Sequence, residues 1–570
     1  MLVRNFAWMG AALALVAMAG PGCGDEETKV VTPEPAIGVS LVATPAGLDT
    51  GGRAAVKAVL DTHLAGPFTF RWNATGGRFV NADAESTTWV APEDPGLYSL
   101  AVMITDGRNS GFAARDVGVG AYVPADDPFY RGAAYCALCH GGDGEEDEED
   151  YYHPWAASGH AGAFETLRDI GMQDNAYCVG CHTVGTNGLI EQADLDNGGY
   201  DERAVSFLEG VQCENCHGPG SAHPHGGMSK LPSDLSAELC KQCHESEHHP
   251  TYTEWARSLH GSALIAYPAM QGGNNQCFKC HNGLYAMDYL DDPAAYGNTA
   301  TPTDSLRITC VVCHEPHGNG NPNNLRAAVN DVALPGGLHP AIGAGRLCIA
   351  CHNGRRAPGN IDTQIANGSA NFGPHHSDQG DMLAGTNAYE GVAPGFPFAT
   401  SNHVLIQDGC VSCHNHQVPF EEGAQAYTGH EFTPTVQACA PCHGPIDSTE
   451  DIIAKADYDA DGSIEAVQKE VEGLIAMLEQ TIIAATPADS LADRQVLEDG
   501  LAGGTFPAAV GNANISTVAQ RAAGYNLFFV EFDHSRGVHN AVYAIQLLQQ
   551  SILSLDPEAL PRSAVLRKAG

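Results

Sequence analysis

Hydrophobic and polar residues alternate near the N-terminus of the chain, which is the pattern of β-strands with one buried face. Residues 68–72 and 98–104 show this period of two, and turns rich in Gly, Asp and Pro separate such stretches. The alternation predicts a small β-sandwich over residues 36–122.

A helical period follows residue 445. Residues 446–570 are rich in Ala, and apolar residues recur there at intervals of three and four, as on one face of a helix. The stripe consists of Ile464, Val467, Val471, Leu474, Leu478 and Ile482. We therefore expect residues 446–570 to be helical and to complete the domain that precedes them.

The middle of the chain, residues 130–445, is organised by cysteine. Nine C-x-x-C-H motifs, called motifs 1 to 9 in chain order, use 18 of the 19 cysteines. Their cysteine pairs are Cys136/Cys139, Cys178/Cys181, Cys213/Cys216, Cys240/Cys243, Cys277/Cys280, Cys310/Cys313, Cys348/Cys351, Cys410/Cys413 and Cys439/Cys442. The histidines that close the motifs are His140, His182, His217, His244, His281, His314, His352, His414 and His443.

This spacing has a chemical reason. Two thiols one helical turn apart can add to the two vinyl groups of one porphyrin, and the next residue then places an imidazole under the iron. Zinc knuckles and secreted disulfide frameworks also use paired cysteines, but neither requires a histidine after every pair. The motifs therefore predict nine covalently bound haem c groups, and no catalytic residues are assigned outside them.

So many porphyrins in so short a segment leave no room for a conventional core. The porphyrins themselves would supply most of the buried apolar surface, and neighbouring haems would lie close enough for electrons to pass between them. The predicted fold class is therefore a multidomain protein. It has an N-terminal β-sandwich, a central haem-packed segment of short helices and loops with little regular structure, and a C-terminal α-helical region.

The 26 histidines exceed the nine that the motifs use, so the chain can offer second axial ligands. A second histidine makes an iron six-coordinate and suits it to electron transfer rather than to substrate binding. His160 and His260 are predicted to be such ligands, because they end matching W-x-x-S-x-H strings at 155–160 and 255–260. On a helix His160 would share an apolar stripe with Phe164, four residues on.

These strings and motifs resemble those of the multihaem c-type cytochromes of respiring and metal-reducing bacteria, over roughly residues 130–545. In that family W-x-x-S-x-H strings supply distal histidines ahead of the attachment motifs. Three further strings resemble the family's and imply distal roles for His223, His317 and His539. The resemblance implies a protein of respiratory electron transfer.

Other histidines are predicted to be ligands from their position relative to the motifs. His403 and His430 precede motifs 8 and 9 by seven and nine residues, and both are predicted to be ligands. Two adjacent pairs, His375/His376 and His248/His249, could each supply one ligand, and His375 is chosen for the first pair. The remaining histidines are expected to be polar residues away from iron, and they are His63, His153, His225, His339, His416 and His534.

The N-terminal β region resembles immunoglobulin-like domains of the PKD type, which occur on bacterial surfaces. The resemblance lies in the strings at 70–77, 89–92, 96–98 and 105–107. It implies a spacing or adhesive role for residues 36–122.

Residues 1–23 have the pattern of an export signal, with Arg4 ahead of an apolar stretch at 7–19. Cys23 and the polar residues that follow it resemble the lipidated cysteine of bacterial lipoproteins, and residues 24–35 would form a linker. An ordinary cleaved signal, with its cysteine lost or left free, is the alternative. The predicted location is exported: the outer membrane as a lipoprotein, the cell surface or the periplasm.

An acidic loop precedes the helical stripe. Asp457, Asp459 and Asp461, followed by Gly462, match the first part of an EF-hand-type calcium loop, but Gln468 stands where a bidentate Glu belongs. The sequence thus allows either a calcium site at the three aspartates or carboxylates that cap a helix N-terminus.

The chain is strongly acidic, with 28 Lys and Arg against 68 Asp and Glu and a formal net charge of -40. Such a charge repels nucleic acid and anionic membranes. Outside the predicted signal, no stretch reaches the ~18 apolar residues that a transmembrane helix needs, so a lipid anchor would be the only attachment to a membrane. The expected partners are electron donor and acceptor proteins, or an extracellular metal or mineral acceptor.

The sequence thus predicts an electron relay rather than an enzyme. One alternative is a multihaem reductase of nitrogen or sulfur oxyanions, in which one haem keeps an open axial site. Another is a structural subunit of a cytochrome filament or surface complex. Abundant distal histidines and nine intact C-x-x-C-H motifs favour the relay.

Overall fold

The computed structural model describes residues 37–567 except for short segments, which are 45–46, 62–63, 65, 121–128, 143–148, 186–198, 202–203, 223–233, 263–276, 295, 297–305, 327–331, 422–424, 488–489 and 503–507. The predicted signal peptide and Cys23 lie outside the described residues, as do His63, His223 and His225.

The N-terminal region forms two four-stranded sheets. Its strands are β1 (Gly38–Thr44), β2 (Gly47–Leu48), β3 (Arg53–Asp61), β4 (Thr69–Ala74), β5 (Arg78–Phe79), β6 (Ser86–Val90), β7 (Gly96–Thr105) and β8 (Ser110–Val119). One sheet has the order β1-β3-β6-β5 and the other the order β2-β8-β7-β4. All pairings are antiparallel except that of β2 with β8.

The two sheets share one apolar core, as the alternating pattern requires. In β3, Ala54, Val56 and Ala58 point inward while the residues between them are exposed or only partly buried. Trp72 from one sheet and Trp89 from the other lie in the same core. This confirms the predicted β region, whereas its PKD identity stays a prediction.

The central segment consists of short helices joined by loops. They are α1 (Ala133–His140), α2 (Tyr152–Ala156), α3 (Ala163–Asp169), α4 (Ala176–His182), α5 (Cys213–His217), α6 (Ala237–Lys241), α7 (Thr251–Arg257), α8 (Leu259–Ser262), α9 (Phe278–His281), α10 (Gly283–Asp291), α11 (Cys310–Cys313), α12 (Gly345–Ile349), α13 (Pro358–Asn367), α14 (Gln379–Ala384), α15 (Cys410–His414) and α16 (Val436–His443). None of these exceeds 10 residues. Helices this short are not stable alone in water, so contacts made through side chains must hold them.

The C-terminal region is helical, as predicted. It contains α17 (Val467–Ala484), α18 (Leu491–Ala502), α19 (Ala508–Gly511), α20 (Val518–Phe532) and α21 (Ala541–Leu555). The predicted stripe is buried on α17 at Val471, Leu474, Leu478 and Ile482. Ile464 was wrongly included, because it lies in the loop before α17 and is 58% exposed.

This helical core also takes in residues of the central segment. Ile361 and Ile365 of α13 and Met382 of α14 are buried in the same cluster as Phe528 and Leu547. The C-terminal helices therefore pack onto the haem-motif segment and close it on one side.

The β-sandwich meets the central segment close to motif 1. The Arg131 guanidinium lies 2.5 Å from the Asp116 carboxylate of β8 and stacks over the Tyr135 ring of α1. The buried Glu214 carboxylate, next to the first cysteine of motif 3, accepts hydrogen bonds from the backbone N–H groups of Arg131 and Gly132. Ion pair and hydrogen bonds together tie the β-sandwich to motifs 1 and 3.

The core of the sandwich gives a test of this fold. Trp89 is fully buried, and its indole N–H donates to the Gly76 carbonyl, so Trp89→Ala should cost about 3–5 kcal/mol of stability. Hydrogen exchange should then show faster exchange of the amides of β3, β6 and β7. Val80→Ala is the control, since Val80 is 60% exposed and should leave exchange unchanged. Equal exchange in both variants would contradict the assigned core.

Candidate functional site

The described cysteines are those of the nine motifs. In most motifs the two cysteines and the histidine lie on a single short helix, as in α5 (Cys213–His217) and α15 (Cys410–His414). This places both thiols on one turn beside the imidazole, which suits attachment of one porphyrin.

The attachment cysteines differ in exposure, which the sequence did not predict. Cys139 of motif 1, Cys216 of motif 3 and Cys442 of motif 9 are exposed in the polypeptide. The other motif cysteines are partly buried. His140 and His443, which follow Cys139 and Cys442, are exposed as well. Haem attachment at all nine motifs stays a prediction.

The histidines of seven motifs each face a second histidine from elsewhere in the chain. Their ring centres are 6.0 to 6.3 Å apart in the pairs His217–His317, His244–His160, His281–His375, His314–His430, His352–His260, His414–His539 and His443–His403. Imidazole nitrogens bind metals at about 2.0–2.1 Å, so two imidazoles on opposite sides of one metal have centres about 6 Å apart. These pairs have the spacing that one iron between two histidines requires.

The two remaining motif histidines have other surroundings. His182 of motif 2 lies near His249, whose pKa is lowered by burial and by the charge of His182. The His249 ring is also 6.4 Å from that of His244. His140 of motif 1 lies 6.2 Å from the Tyr151 ring. The predicted ligand His223 is outside the described residues.

Hydrogen bonds orient many of these rings through Nδ1. Among motif histidines, the carbonyls of Ala163, Asn323 and Phe432 lie 2.6 to 2.8 Å from Nδ1 of His182, His314 and His414. Among their partners, Nδ1 of His403 contacts the Val538 carbonyl at 2.7 Å, Nδ1 of His375 the Ser377 hydroxyl at 2.7 Å and Nδ1 of His317 the Glu315 carboxylate at 3.0 Å. A ring that donates from Nδ1 keeps Nε2 for a metal.

Burial keeps several of these imidazoles neutral. It lowers the pKa of His244, His260 and His281 to about 4 and that of His375 to about 3. A metal ligand must be deprotonated, so these rings are competent ligands throughout the neutral pH range.

His539 differs from the others. Its Nδ1 lies 2.5 Å from the fully buried Asp533 carboxylate, which raises the pKa of His539 although burial opposes this. A carboxylate behind a ligating histidine fixes the ring and makes the ligand more basic. Sequence reasoning missed Asp533, and its only signal is a position six residues before His539.

Glu254 is a second residue that the sequence did not mark. It is buried beside Trp255, and its carboxylate accepts hydrogen bonds from the Thr428 hydroxyl and from the backbone N–H groups of Thr428 and His430. Glu254 thereby holds the loop that presents His430 to His314.

In the W-x-x-S-x-H strings, the tryptophan forms a hydrogen bond to the backbone ahead of a later motif. The indole N–H of Trp155 donates to the Val211 carbonyl just before motif 3, at 2.9 Å. The prediction of a helical stripe through His160 and Phe164 was wrong, because His160 lies in the turn between α2 and α3. His260 lies on α8, as expected.

The histidines left unassigned occupy other environments. His153 is exposed and contacts the Asp150 carboxylate at 3.0 Å, and the His248 ring lies tilted against that of Phe420 with ring centres 4.1 Å apart. His376 stacks on His375 at 4.3 Å. His339 and His534 are exposed and His416 is half-buried.

The acidic loop before α17 has a different ligand set from the predicted one. Asp457, Asp459 and Glu470 place carboxylate oxygens within 4.8 Å of one another, and Asp461 is not part of this group. Glu470 also accepts hydrogen bonds from the backbone N–H groups of Tyr458, Asp459 and Glu465, so it anchors the loop. Gln468 instead contacts Thr449. Calcium binding stays a prediction.

Residues 135–218, which hold motifs 1 to 3, match the model of the family "Cytochrome c554 and c-prime". The chain is also similar to C-type polyheme cytochrome OmcB of Geobacter sulfurreducens, at 27% identity over 42% of this chain and 35% of that protein. Multiheme cytochrome MtrA of Shewanella baltica is 25% identical over 32% of this chain and 53% of that protein. Cytochrome c-554 of Nitrosomonas europaea is 30% identical over 18% of this chain and 43% of that protein.

These similarities are partial, since the matched segments span about a third to a half of the relatives' length. No solved structure matches the chain significantly. Among the described residues, no helix combines the length and the apolar character needed to span a bilayer.

The buried Asp381 offers a test of how the segment after motif 7 is held. Its carboxylate accepts from the Gly354 N–H at 2.6 Å, and burial raises the pKa of Asp381 to about 7. A folded-state pKa above the unfolded value of 3.8 means that the folded chain loses stability as pH rises from about 4 to above 7. Asp381→Asn should remove this loss.

Urea unfolding of the wild type and of Asp381→Asn measures this effect. The free energy of unfolding of the variant, relative to that of the wild type, should be higher at about pH 8 than at about pH 4. Asp362→Asn is the control, because Asp362 is exposed on α13. A gain that is the same at both pH values would contradict the assignment.

Proposed function

Because the chain belongs to the multihaem c-type cytochromes, we propose that it holds one haem c at each of its nine motifs and relays electrons among them. The observation that carries the proposal is the pairing of motif histidines with second histidines at 6.0 to 6.3 Å. Covalently bound haem c supplies one-electron chemistry at its iron.

The residues present fit such a group. In each motif the two cysteines would form the thioether bonds, and the motif histidine would be the proximal ligand. We assign the distal ligands of motifs 3 to 9 to His317, His160, His375, His430, His260, His539 and His403, in that order. His249 is assigned to motif 2, and His223 to motif 1 on the family resemblance.

This ligand set favours a relay over a reductase. Histidines on both sides leave no coordination position for a substrate, so the chain's role is to hold each iron at fixed ligation. The Nδ1 partners, above all Asp533, keep the imidazoles in place during oxidation and reduction.

The donor and acceptor are proposed from the chemistry of the surface. A net charge of -40 favours basic protein partners or a cationic mineral surface over nucleic acid. With the export signal, this supports electron transfer to an acceptor at or beyond the outer membrane. The β-sandwich would act as a spacer.

Electron paramagnetic resonance of the oxidised full-length protein tests the proposal. We expect low-spin ferric signals and almost no high-spin iron in the wild type. His403→Ala should convert one haem, that of motif 9, to high spin. His153→Ala is the matched control, since exposed His153 contacts Asp150 and should leave the spectrum unchanged. Substantial high-spin iron in the wild type would favour a reductase with an open site.

The lipid anchor has its own test. If Cys23 is acylated, Cys23→Ser should move the protein from the membrane fraction to the soluble fraction of cells that export it. Mass spectrometry of the wild-type N-terminus should then find an acylated Cys23. An unmodified N-terminus elsewhere in the chain would contradict the anchor and leave the relay intact.

A further inference from the structure

We infer that each W-x-x-S-x-H string is a joint that fixes two haem sites relative to each other, with its tryptophan as a positioning residue. The first string (155–160) joins motif 3 to motif 4, and the second string (255–260) joins motif 6 to motif 7. The inference rests on the proposed function, because it takes these four motifs to hold haems. It gives the strings a role beyond that of supplying His160 and His260 as ligands.

The first string holds the backbone that leads into motif 3. The Trp155 indole N–H donates to the Val211 carbonyl, and the Val211 N–H donates to the His160 carbonyl, both at 2.9 Å. Val211 is two residues before Cys213, and two residues span at most about 7 Å. The first attachment cysteine of motif 3 therefore lies close to the histidine that faces motif 4.

The second string holds the backbone ahead of motif 6 in the same way. Trp255 is buried, and its indole N–H donates to the Ile308 carbonyl at 2.9 Å. Ile308, like its counterpart ahead of motif 3, is two residues before the first cysteine of the motif. The Arg307 guanidinium donates to the carbonyl of Gly261, directly after the string, at 2.7 Å. Both ends of the second string are therefore bound to the approach to motif 6.

The first string also contacts the loop that carries the distal histidine of motif 3. That histidine, His317, faces His217 and is followed by Gly318. A Cβ at Gly318 would lie 2.6 Å from the Pro154 carbonyl and 3.5 Å from the Cβ of Ser158. Only a glycine lets the loop pack this closely on the string. The distal loop of motif 3 is thus seated on the first string.

At the second string a carboxylate makes the corresponding contact. Glu254 stands immediately before the string, where the first copy has Pro154. The Glu254 side chain is buried and accepts hydrogen bonds from the Thr428 N–H, the Thr428 hydroxyl and the His430 N–H at 2.8 to 2.9 Å. His430 faces His314 of motif 6. Both strings therefore contact a motif on its attachment side and on its distal side.

Hydrogen bonds inside the strings hold tryptophan and histidine in a fixed arrangement. The Ser158 N–H donates to the Trp155 carbonyl at 2.8 Å, and the Ser258 N–H donates to the Trp255 carbonyl at 3.0 Å. The buried Ser258 hydroxyl also donates to the Trp255 carbonyl, at 2.6 Å. Each string therefore forms one tight turn, which sets the direction of its histidine relative to its tryptophan.

The last residue of each string belongs to the next haem site. His160 faces His244 of motif 4 with ring centres 6.3 Å apart, and His260 faces His352 of motif 7 with ring centres 6.0 Å apart. A shift of motif 3 relative to motif 4, or of motif 6 relative to motif 7, would strain the string between them. Outer hydrogen bonds of this kind orient metal ligands and tune the metal. Loss of the tryptophan hydrogen bond should therefore disturb two irons at once.

Electron paramagnetic resonance of the oxidised full-length holoprotein tests the joint with Trp255→Phe, which keeps an aromatic ring and removes the N–H donor. His430→Ala and His260→Ala identify the low-spin signals of motifs 6 and 7, because each should convert one haem to high spin. We expect Trp255→Phe to shift both of these signals and to leave the others at their wild-type g values. Trp72→Phe is the matched control and should shift no signal, since the buried Trp72 indole donates to the Ala84 carbonyl at 2.7 Å within the β-sandwich.

A shift of only one of the two signals would overturn the joint, since the string would then serve a single haem. Shifts that extend to haems beyond motifs 6 and 7, or no shift, would overturn it as well. If Trp255→Phe misfolds, Trp155→Phe decides the matter, with shifts expected only in the signals that His317→Ala and His160→Ala identify. Histidine variants that create no high-spin iron would instead contradict the proposed ligands, and the joint with them.

Discussion

Pairs of imidazoles held about 6 Å apart, the spacing that one iron between them would require, are the constraint on which the central part of this chain depends. Its helices are too short to be stable through their own hydrogen bonds, and they share little apolar core. A histidine brought from a distant part of the chain would link two such segments through a single metal. His539, for example, comes from just before α21 and faces His414 of motif 8. The proposed haems would thus be structural elements as well as carriers of electrons.

The surroundings of each imidazole prepare it for that role. Burial lowers the pKa of His260 and His375, so both rings are neutral before a metal binds. Asp533 works in the opposite direction at His539 and makes that ligand more basic. Because ligand basicity and hydrogen bonding tune a haem potential, the proposed haems of motifs 7 and 8 would differ in potential.

Much of this could be predicted from residue spacing, and the failures have physical causes. The attachment motifs follow from chemistry that is local in sequence, and the β and helical regions follow from hydrophobic periods. The partner of each predicted distal histidine could not be predicted, because the paired histidines come from remote segments. His403 precedes motif 8 in sequence but faces His443 of motif 9, and His430 precedes motif 9 but faces His314 of motif 6. The prediction that His160 lies on a helix was also wrong, because His160 lies in a turn. Asp533 and Glu254 carry no motif, and only the fold reveals what they hold.

The central claim is that all nine motifs hold covalently bound haem. Intact mass spectrometry of the denatured, purified protein, combined with haem quantification by the pyridine haemochrome spectrum, tests it most directly. The account predicts nine haems that stay attached to the polypeptide after denaturation. A chain that carries fewer than nine, or that releases haem on denaturation, would contradict it.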